Sequence, residues 1–271
     1  MTSEQARRYA RQVRLPEVGP AGQARLLKAG VLIVGLGGLG SPAALYLAAA
    51  GVGRLGLLDG DRVSLANLQR QILYTTADVG RSKAEAAAER LAALNPGCRL
   101  EPRPEMLDDT NARACVAAYD AVVDGTDSFE AKFRIAAACH AAGIPYAHGG
   151  VQGFTGQAMT VQPGRTACCR CLFDRPLAAM PRPPRGGPRG PLGPVPGMIG
   201  AVQAAEIIRL LAGIGRLLTN RLLVADALAM DVRTVPVRRN PDCPLCGRAS
   251  GTNQYPRPYR CRSAKRRKDR S

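Results

Sequence analysis

The stretch Val31-Leu32-Ile33-Val34-Gly35-Leu36-Gly37-Gly38-Leu39-Gly40-Ser41-Pro42 decides the fold class. Four apolar residues in a row suit a strand buried on both faces, as in a parallel sheet. The run stops at Gly35, and Gly35, Gly37 and Gly40 satisfy G-x-G-x-x-G. Ser41 is a good N-cap and Pro42 suits a first helical turn, so a helix is expected over Ala43–Ala50, ended by Gly51. Strand, glycine turn and helix in that order form a phosphate cradle, because glycines let backbone approach a phosphate and a helix start offers free N–H groups. A purely structural turn is the alternative.

Working outward, the same alternation continues. Strands are expected at Arg54–Leu58, Ala121–Val123 and Ile144–Ala147, and helices at Lys83–Leu94 and Phe129–Ala142. Strand–helix alternation predicts a Rossmann-like α/β parallel sheet covered on both faces. After residue 150 the pattern changes. Val151–Thr155 and Gln157–Val161 read as short antiparallel strands, Met198–Ala212 as a helix, and Leu222–Ala225 and Arg233–Val237 as further strands. The expected organisation is one unit over 1–247, with a nucleotide-binding half (1–150) and a second half (151–247). The Pro/Gly/Arg-rich segment 181–196 reads as a crossover loop, and 248–271 as a disordered basic tail.

Asp59 lies 19 residues past Gly40 at the end of the next strand, where a carboxylate would meet a ribose hydroxyl. A dinucleotide dehydrogenase would share that pattern. The polar run Asn67-Leu68-Gln69-Arg70-Gln71 and the nearby Lys83 argue instead for a polyphosphate being handled. A solvated basic face is the plainer reading of those cations. Asp127, in Asp124-Gly125-Thr126-Asp127-Ser128, follows another strand and would hold a Mg²⁺ bridging phosphates. It competes with Ser128 for the N-cap of the following helix. His140 and His148 are assigned no role.

The net charge of +17 invites a nucleic-acid reading. Its location weakens that. Residues 248–271 carry nine basic groups and one acid, and residues 175–190 carry four arginines and no acid, so twelve of the seventeen charges sit in two segments without hydrophobic periodicity. No run of 18 apolar residues predicts a membrane span, and the N-terminus has no apolar stretch of a secretory signal. The expected location is the cytoplasm, where disulfides are rare, so the nine cysteines need another use. Cys168 and Cys171 form one C-x-x-C and Cys243 and Cys246 another, which suggests a structural tetrahedral zinc site. Redox or unpaired cysteines are the alternative.

The sequence resembles the MoeB/ThiF/HesA family, relatives of the ubiquitin-activating enzymes, from about residue 4 to 247. The likeness rests on Arg8-Tyr9-Ala10-Arg11-Gln12, the Gly35–Gly40 turn, Asp59-Gly60-Asp61, Asn67–Gln71, Lys83, Thr126-Asp127 and both cysteine knuckles. It implies a homodimeric ATP-dependent adenylyltransferase acting on the C-terminal glycine of a small ubiquitin-like sulfur carrier ending in Gly-Gly, with release of pyrophosphate. By that pattern Asp59 holds the ribose, Gly38 and its turn pack against the nucleotide, Arg70 and Lys83 hold phosphates, Asp127 binds Mg²⁺, and Asn67 and Gln71 line the site. Ser128 borders it. Arg11 would reach the partner subunit's ATP. Sulfur would come from a separate donor, a cysteine desulfurase or a rhodanese. The crossover loop often carries a cysteine in this family, whereas 181–193 has none, with Gly186 or Gly187 about where it would stand. That favours simple adenylation, with the small subunit of molybdopterin synthase as carrier over the thiazole-pathway carrier.

Overall fold

A computed structural model describes residues 1–173 and 190–247. Eight strands form one sheet in the order β3-β2-β1-β4-β5-β6-β7-β8. β1 (Gly30–Val34), β2 (Arg54–Leu58), β3 (Arg99–Arg103), β4 (Ala121–Asp124) and β5 (Tyr146–Gln152) run parallel. β6 (Thr155–Val161), β7 (Arg221–Asp226) and β8 (Asp231–Pro236) continue it antiparallel. The order reverses at β1, between β2 and β4. In an open α/β sheet the crevice at such a switch point, beyond the carboxyl ends of the strands, is where ligands bind.

Both faces of the parallel half are covered, and the strand residues alternate between two cores as a pleated strand requires. Val31, Ile33, Leu55, Leu57, Ala121 and Val123 pack under α4 (Gly40–Ala49), α5 (Lys83–Leu94) and α9 (Pro194–Ala212). Leu32, Val34, Leu58 and Val122 pack on the other face under α6 (Ala112–Ala117) and α7 (Phe129–Ala142). The unbroken apolar reading of residues 31–34 is explained by this double burial. α9 is long and apolar enough to cross a membrane by composition, but it is a core helix packed on β5, β6 and α4, with Gln203 and Glu206 buried in it.

Three expectations are corrected. Ser41 does not cap α4. The helix begins at Gly40 after Leu39, and the Ser41 hydroxyl lies inside it, donating to the Leu36 carbonyl at 3.3 Å. The segments 144–147 and 151–155 are not two strands. β5 is a single strand from Tyr146 to Gln152, parallel to β4 on one edge and antiparallel to β6 on the other, with the turn at Gly153 (φ +60°) and Phe154. α9 begins at Pro194, four residues before Met198, because Pro194 is tolerated in a first turn. β3 has no counterpart among the sequence-based expectations. It carries Pro102, which an edge strand accommodates, and its alternation is masked by Arg99, Glu101 and Arg103. The helices before β1, α1 (Ser3–Arg8), α2 (Ala10–Val13) and α3 (Gly19–Lys28), were also not expected, although Thr2 and Gln5 form a capping box. The short α8 (Cys169–Leu172) completes the elements. The expected tail at 248–271 and most of the crossover loop, including Gly186 and Gly187, lie outside the described residues.

Candidate active site

The glycine turn is built by backbone packing. Gly35 has φ +84°, which L side chains rarely adopt, and an added Cβ would lie 2.9 Å from the Gly125 carbonyl. A Cβ on Gly40 would lie 1.9 Å from the Gly35 oxygen. These two glycines bring the ends of β1 and β4 and the start of α4 into contact. Gly37 differs: a Cβ there would meet only the Gln71 amide, at 3.5 Å, so this face of the turn is open. Gly38 lies against Pro196 of α9, 3.0 Å from an added Cβ, and under the Arg70 side chain.

Asp59 fixes the turn. Its Oδ2 accepts from Leu36 N at 2.7 Å and its Oδ1 from Asp61 N at 2.9 Å. Burial pushes its carboxyl above the usual range, opposed by the Lys83 ammonium nearby. The Leu36 carbonyl in turn accepts from Tyr74 OH at 3.0 Å. Lys83 is almost fully buried, and its Nζ pairs with Asp61 Oδ2 at 2.8 Å. An ammonium has three donors, so it retains capacity for phosphate oxygens. Arg70 is half-buried and donates to the Ala66 carbonyl at 3.1 Å. Asn67 closes the turn that carries it, its Oδ1 accepting from Ser64 N at 3.3 Å. Gln71 is buried, with no partner for its Oε1 among the described residues. An orphaned buried acceptor beside the open face of the turn suits a ligand donor.

Across the crevice, Ser128 caps α7 by accepting from Ala131 N at 3.2 Å. Asp127 is thereby spared capping. Its carboxylate is exposed, with no hydrogen bond or ion pair to the described residues. Beneath it lies a buried cluster that the sequence reading missed. Lys132 Nζ contacts Asp124 Oδ1 at 3.2 Å, the Thr126 carbonyl at 2.7 Å and the Gly149 carbonyl at 2.6 Å. His148 Nδ1 lies 2.9 Å from Asp124 Oδ2. Burial alone would raise the Asp124 carboxyl, but Lys132 and His148 hold it down at about 2. Burial keeps the His148 imidazole neutral, so Nδ1–H donates to Asp124.

Arg11 is not brought to this crevice. It is exposed on α2, which docks at the opposite end of α4: Tyr9 packs against Gly51, and Gln12 donates to the Ala50 carbonyl. One length of α4, about 15 Å, separates that end from the glycine turn. The four knuckle cysteines do come together, their sulfurs all within 4.8 Å. Cys168–Cys243 is 3.6 Å, Cys171–Cys246 is 3.4 Å, and Asn240 N donates to Cys171 Sγ at 3.4 Å. The shared thiol contacts hold Cys171 well below the usual thiol range and push Cys168 above it. Four cysteines so placed could hold a metal ion.

A glycine turn, a cationic loop and an exposed carboxylate thus meet at the switch point of a mixed sheet, an arrangement suited to a nucleotide's phosphates. The chain belongs to the ThiF family, whose model matches residues 9–245. It is 44% identical to the sulfur carrier protein adenylyltransferase of Thermus thermophilus, covering 91% of this chain and 92% of that one. It is 45% identical to the SAMP-activating enzyme E1 of Haloferax volcanii, covering 91% of each. The adenylyltransferase and sulfurtransferase MOCS3 of Bos taurus is 41% identical, but this chain spans only 54% of its length. Among solved structures, E. coli MccB shares the fold with a TM-score of 0.79 at 24% identity, covering 91% of this chain and 74% of that one.

Proposed function

We propose that the protein adenylylates the C-terminal glycine of a ubiquitin-like sulfur carrier, and that the carrier is of the molybdopterin-synthase small-subunit type. The observation that carries the reading is the exposed Asp127 carboxylate just past β4, without a partner among the described residues, next to the glycine turn over which the Arg70 loop lies. A dinucleotide site has no use for that set, whereas a triphosphate does. The names of the relatives support the substrate class.

In this reading ATP lies over the open face at Gly37. Asp59 takes the ribose with the lone pairs left by its two backbone bonds, and Gln71 Oε1 accepts from the nucleotide. Arg70 and Lys83 hold phosphate oxygens. A carboxylate oxygen of the carrier's terminal glycine attacks the α-phosphorus, the bond to the bridging oxygen breaks, and pyrophosphate leaves with both electrons. No proton moves, which agrees with the absence of a histidine among the groups facing the nucleotide. Fixed cations serve such a step by stabilising charge on the leaving group. Asp127 fits Mg²⁺, because that ion is commonly held by one or two carboxylates plus phosphate oxygens. Bound there, it would neutralise phosphate charge. Arg11, remote from its own crevice, is suited to reach across a homodimer. The acyl-adenylate would then pass to a separate sulfur donor, a cysteine desulfurase or a rhodanese, in the cytoplasm.

The cysteine cluster fits zinc. Tetrahedral Zn–S bonds of about 2.3 Å place sulfurs about 3.8 Å apart, close to the 3.4–3.8 Å found between neighbouring thiols. Four thiolates leave no open position, so the metal would tie the end of the chain to its middle without taking part in the reaction.

ATP–pyrophosphate exchange tests the function, with carriers of the molybdopterin-synthase and thiazole pathways supplied separately. Exchange that needs a carrier ending in Gly-Gly, and is faster with the former, is expected. No exchange with either, or tighter binding of NADH than of ATP, would overturn it.

A further inference from the structure

The Asp127 carboxylate makes no hydrogen bond or ion pair with the described residues, so its place among them is set by the backbone of residues 124–127. That backbone is clamped from inside the protein. Asp124 is fully buried and ends β4. Its Oδ1 accepts from Thr126 N at 3.2 Å and from Thr126 Oγ1 at 2.7 Å, folding the chain back on itself. Its own carbonyl accepts from Gln203 of α9 at 2.8 Å, and Gln203 also donates to the Ala147 carbonyl of β5 at 2.9 Å. Lys132 closes the arrangement. From one helical turn into α7, its ammonium reaches the carbonyl just before Asp127, the carboxylate of Asp124 and the Gly149 carbonyl of β5.

A buried ion pair is a poor device for stability alone, since apolar residues of similar volume are often as stable or more so. What this one supplies is direction: four acceptors from β4, the turn and β5 converge on one ammonium. We propose that Lys132, acting with Asp124 and seconded by His148, is a positioning residue that fixes the Thr126–Asp127 turn so that the Asp127 carboxylate faces the metal–nucleotide complex. This rests on the reading of Asp127 as the magnesium ligand. Lys132 itself is covered, its side chain 8% exposed, so it acts through the turn and not on the substrate.

The test uses the full chain with Mn²⁺ as probe and a non-hydrolysable ATP analogue, read by electron paramagnetic resonance, alongside thermal unfolding. The paired variant Asp124→Asn/Lys132→Met removes the buried charges together and is expected to fold, with a melting temperature lowered by the Thr126 and Gly149 carbonyls it leaves unpaired. Its Mn²⁺ affinity is expected to fall at least about tenfold, and kcat for exchange about 100-fold, the cost of a displacement near 1 Å. KM for ATP should change less than about threefold, since the nucleotide's own contacts remain. Thr126→Ala keeps the buried pair and loosens only the turn, and should weaken Mn²⁺ about threefold. Parent-like Mn²⁺ affinity in either folded variant overturns the proposal. Asp127→Asn is measured beside them. If it loses Mn²⁺ while the paired variant does not, the positioning role fails alone. If it keeps Mn²⁺, the metal reading of Asp127 falls and the positioning role falls with it.

Discussion

Asp59 is expected to do two jobs, and its replacement separates them. The carboxylate holds Leu36 N at 2.7 Å and Asp61 N at 2.9 Å. Leu36 is fully buried, so its N–H finds no water when the carboxylate is gone, whereas Asp61 is exposed and its N–H is hydrated. A hydrogen bond to a charged group contributes about 1.5–3 kcal/mol, and a buried orphan donor costs about 1–3 kcal/mol. Burial of the carboxylate offsets part of this. Asp59→Ala should therefore lose about 2–4 kcal/mol of stability in equilibrium urea unfolding. Asp59→Asn retains one carbonyl oxygen for Leu36 N and should lose only about 1 kcal/mol. Calorimetric titration with ATP should show the opposite emphasis. Even the Asn variant should bind at least about tenfold more weakly, because its amide turns a donor toward the ribose hydroxyls. Asp59→Ala with a parent-like urea midpoint would refute the reasoning about the turn. Asp59→Asn with parent-like ATP affinity would refute the ribose assignment.

Arg11→Ala and Arg70→Ala should each abolish exchange, yet mixing the two after subunit re-equilibration should restore about a quarter of parent activity, because a mixed dimer keeps one complete site; no recovery would remove Arg11 from the partner's site. Metal analysis should find about one zinc per chain, and Cys171→Ser should lose it together with thermal stability; folded, metal-free parent protein would count against the knuckle as a metal site. The pH dependence of stability should carry the mark of Asp124. Its folded pKa of about 2 lies below the usual value near 4, so its contribution is complete above pH about 4 and is lost as pH falls toward 2. That contribution is about 2–3 kcal/mol, and Asp124→Asn should flatten the acid limb of the unfolding curve over that window.

The parallel half was legible because its strands are buried twice. Residues 31–34 and 55–58 have no polar face to confuse, and the glycine turn marks their junction. β3 escaped because an edge strand keeps one polar side, and Arg99, Glu101 and Arg103 read as loop. β5 was split in two because Gly149 and Gly150 look like a break. In fact Gly149 admits Gln203, which would lie 2.6 Å from an added Cβ. Among the site residues, Asp59, Arg70, Lys83 and Asp127 stand at fixed offsets from recognisable motifs. The Asp124–Lys132–His148 cluster has no such signal. Its members are 8 and 24 residues from Asp124, on three elements, and only folding makes them neighbours. A lysine in line with Ile135, Ala136 and Cys139 on the apolar face of α7 was the available hint, but one charge on such a face reads as a side chain reaching out to solvent.

The continuity of β5 has a mechanical consequence. Many two-part nucleotide enzymes close like a jaw, swinging one lobe about a hinge. Here both lobes share a strand, joined to β6 through seven register pairs, and α9 is laid across the seam with Gln203 bolted to both β4 and β5. A hinge between the parallel and antiparallel parts would have to break that ladder. The parallel and antiparallel parts of the sheet are thereby tied into one plate, with Gln203 as the rivet at the seam.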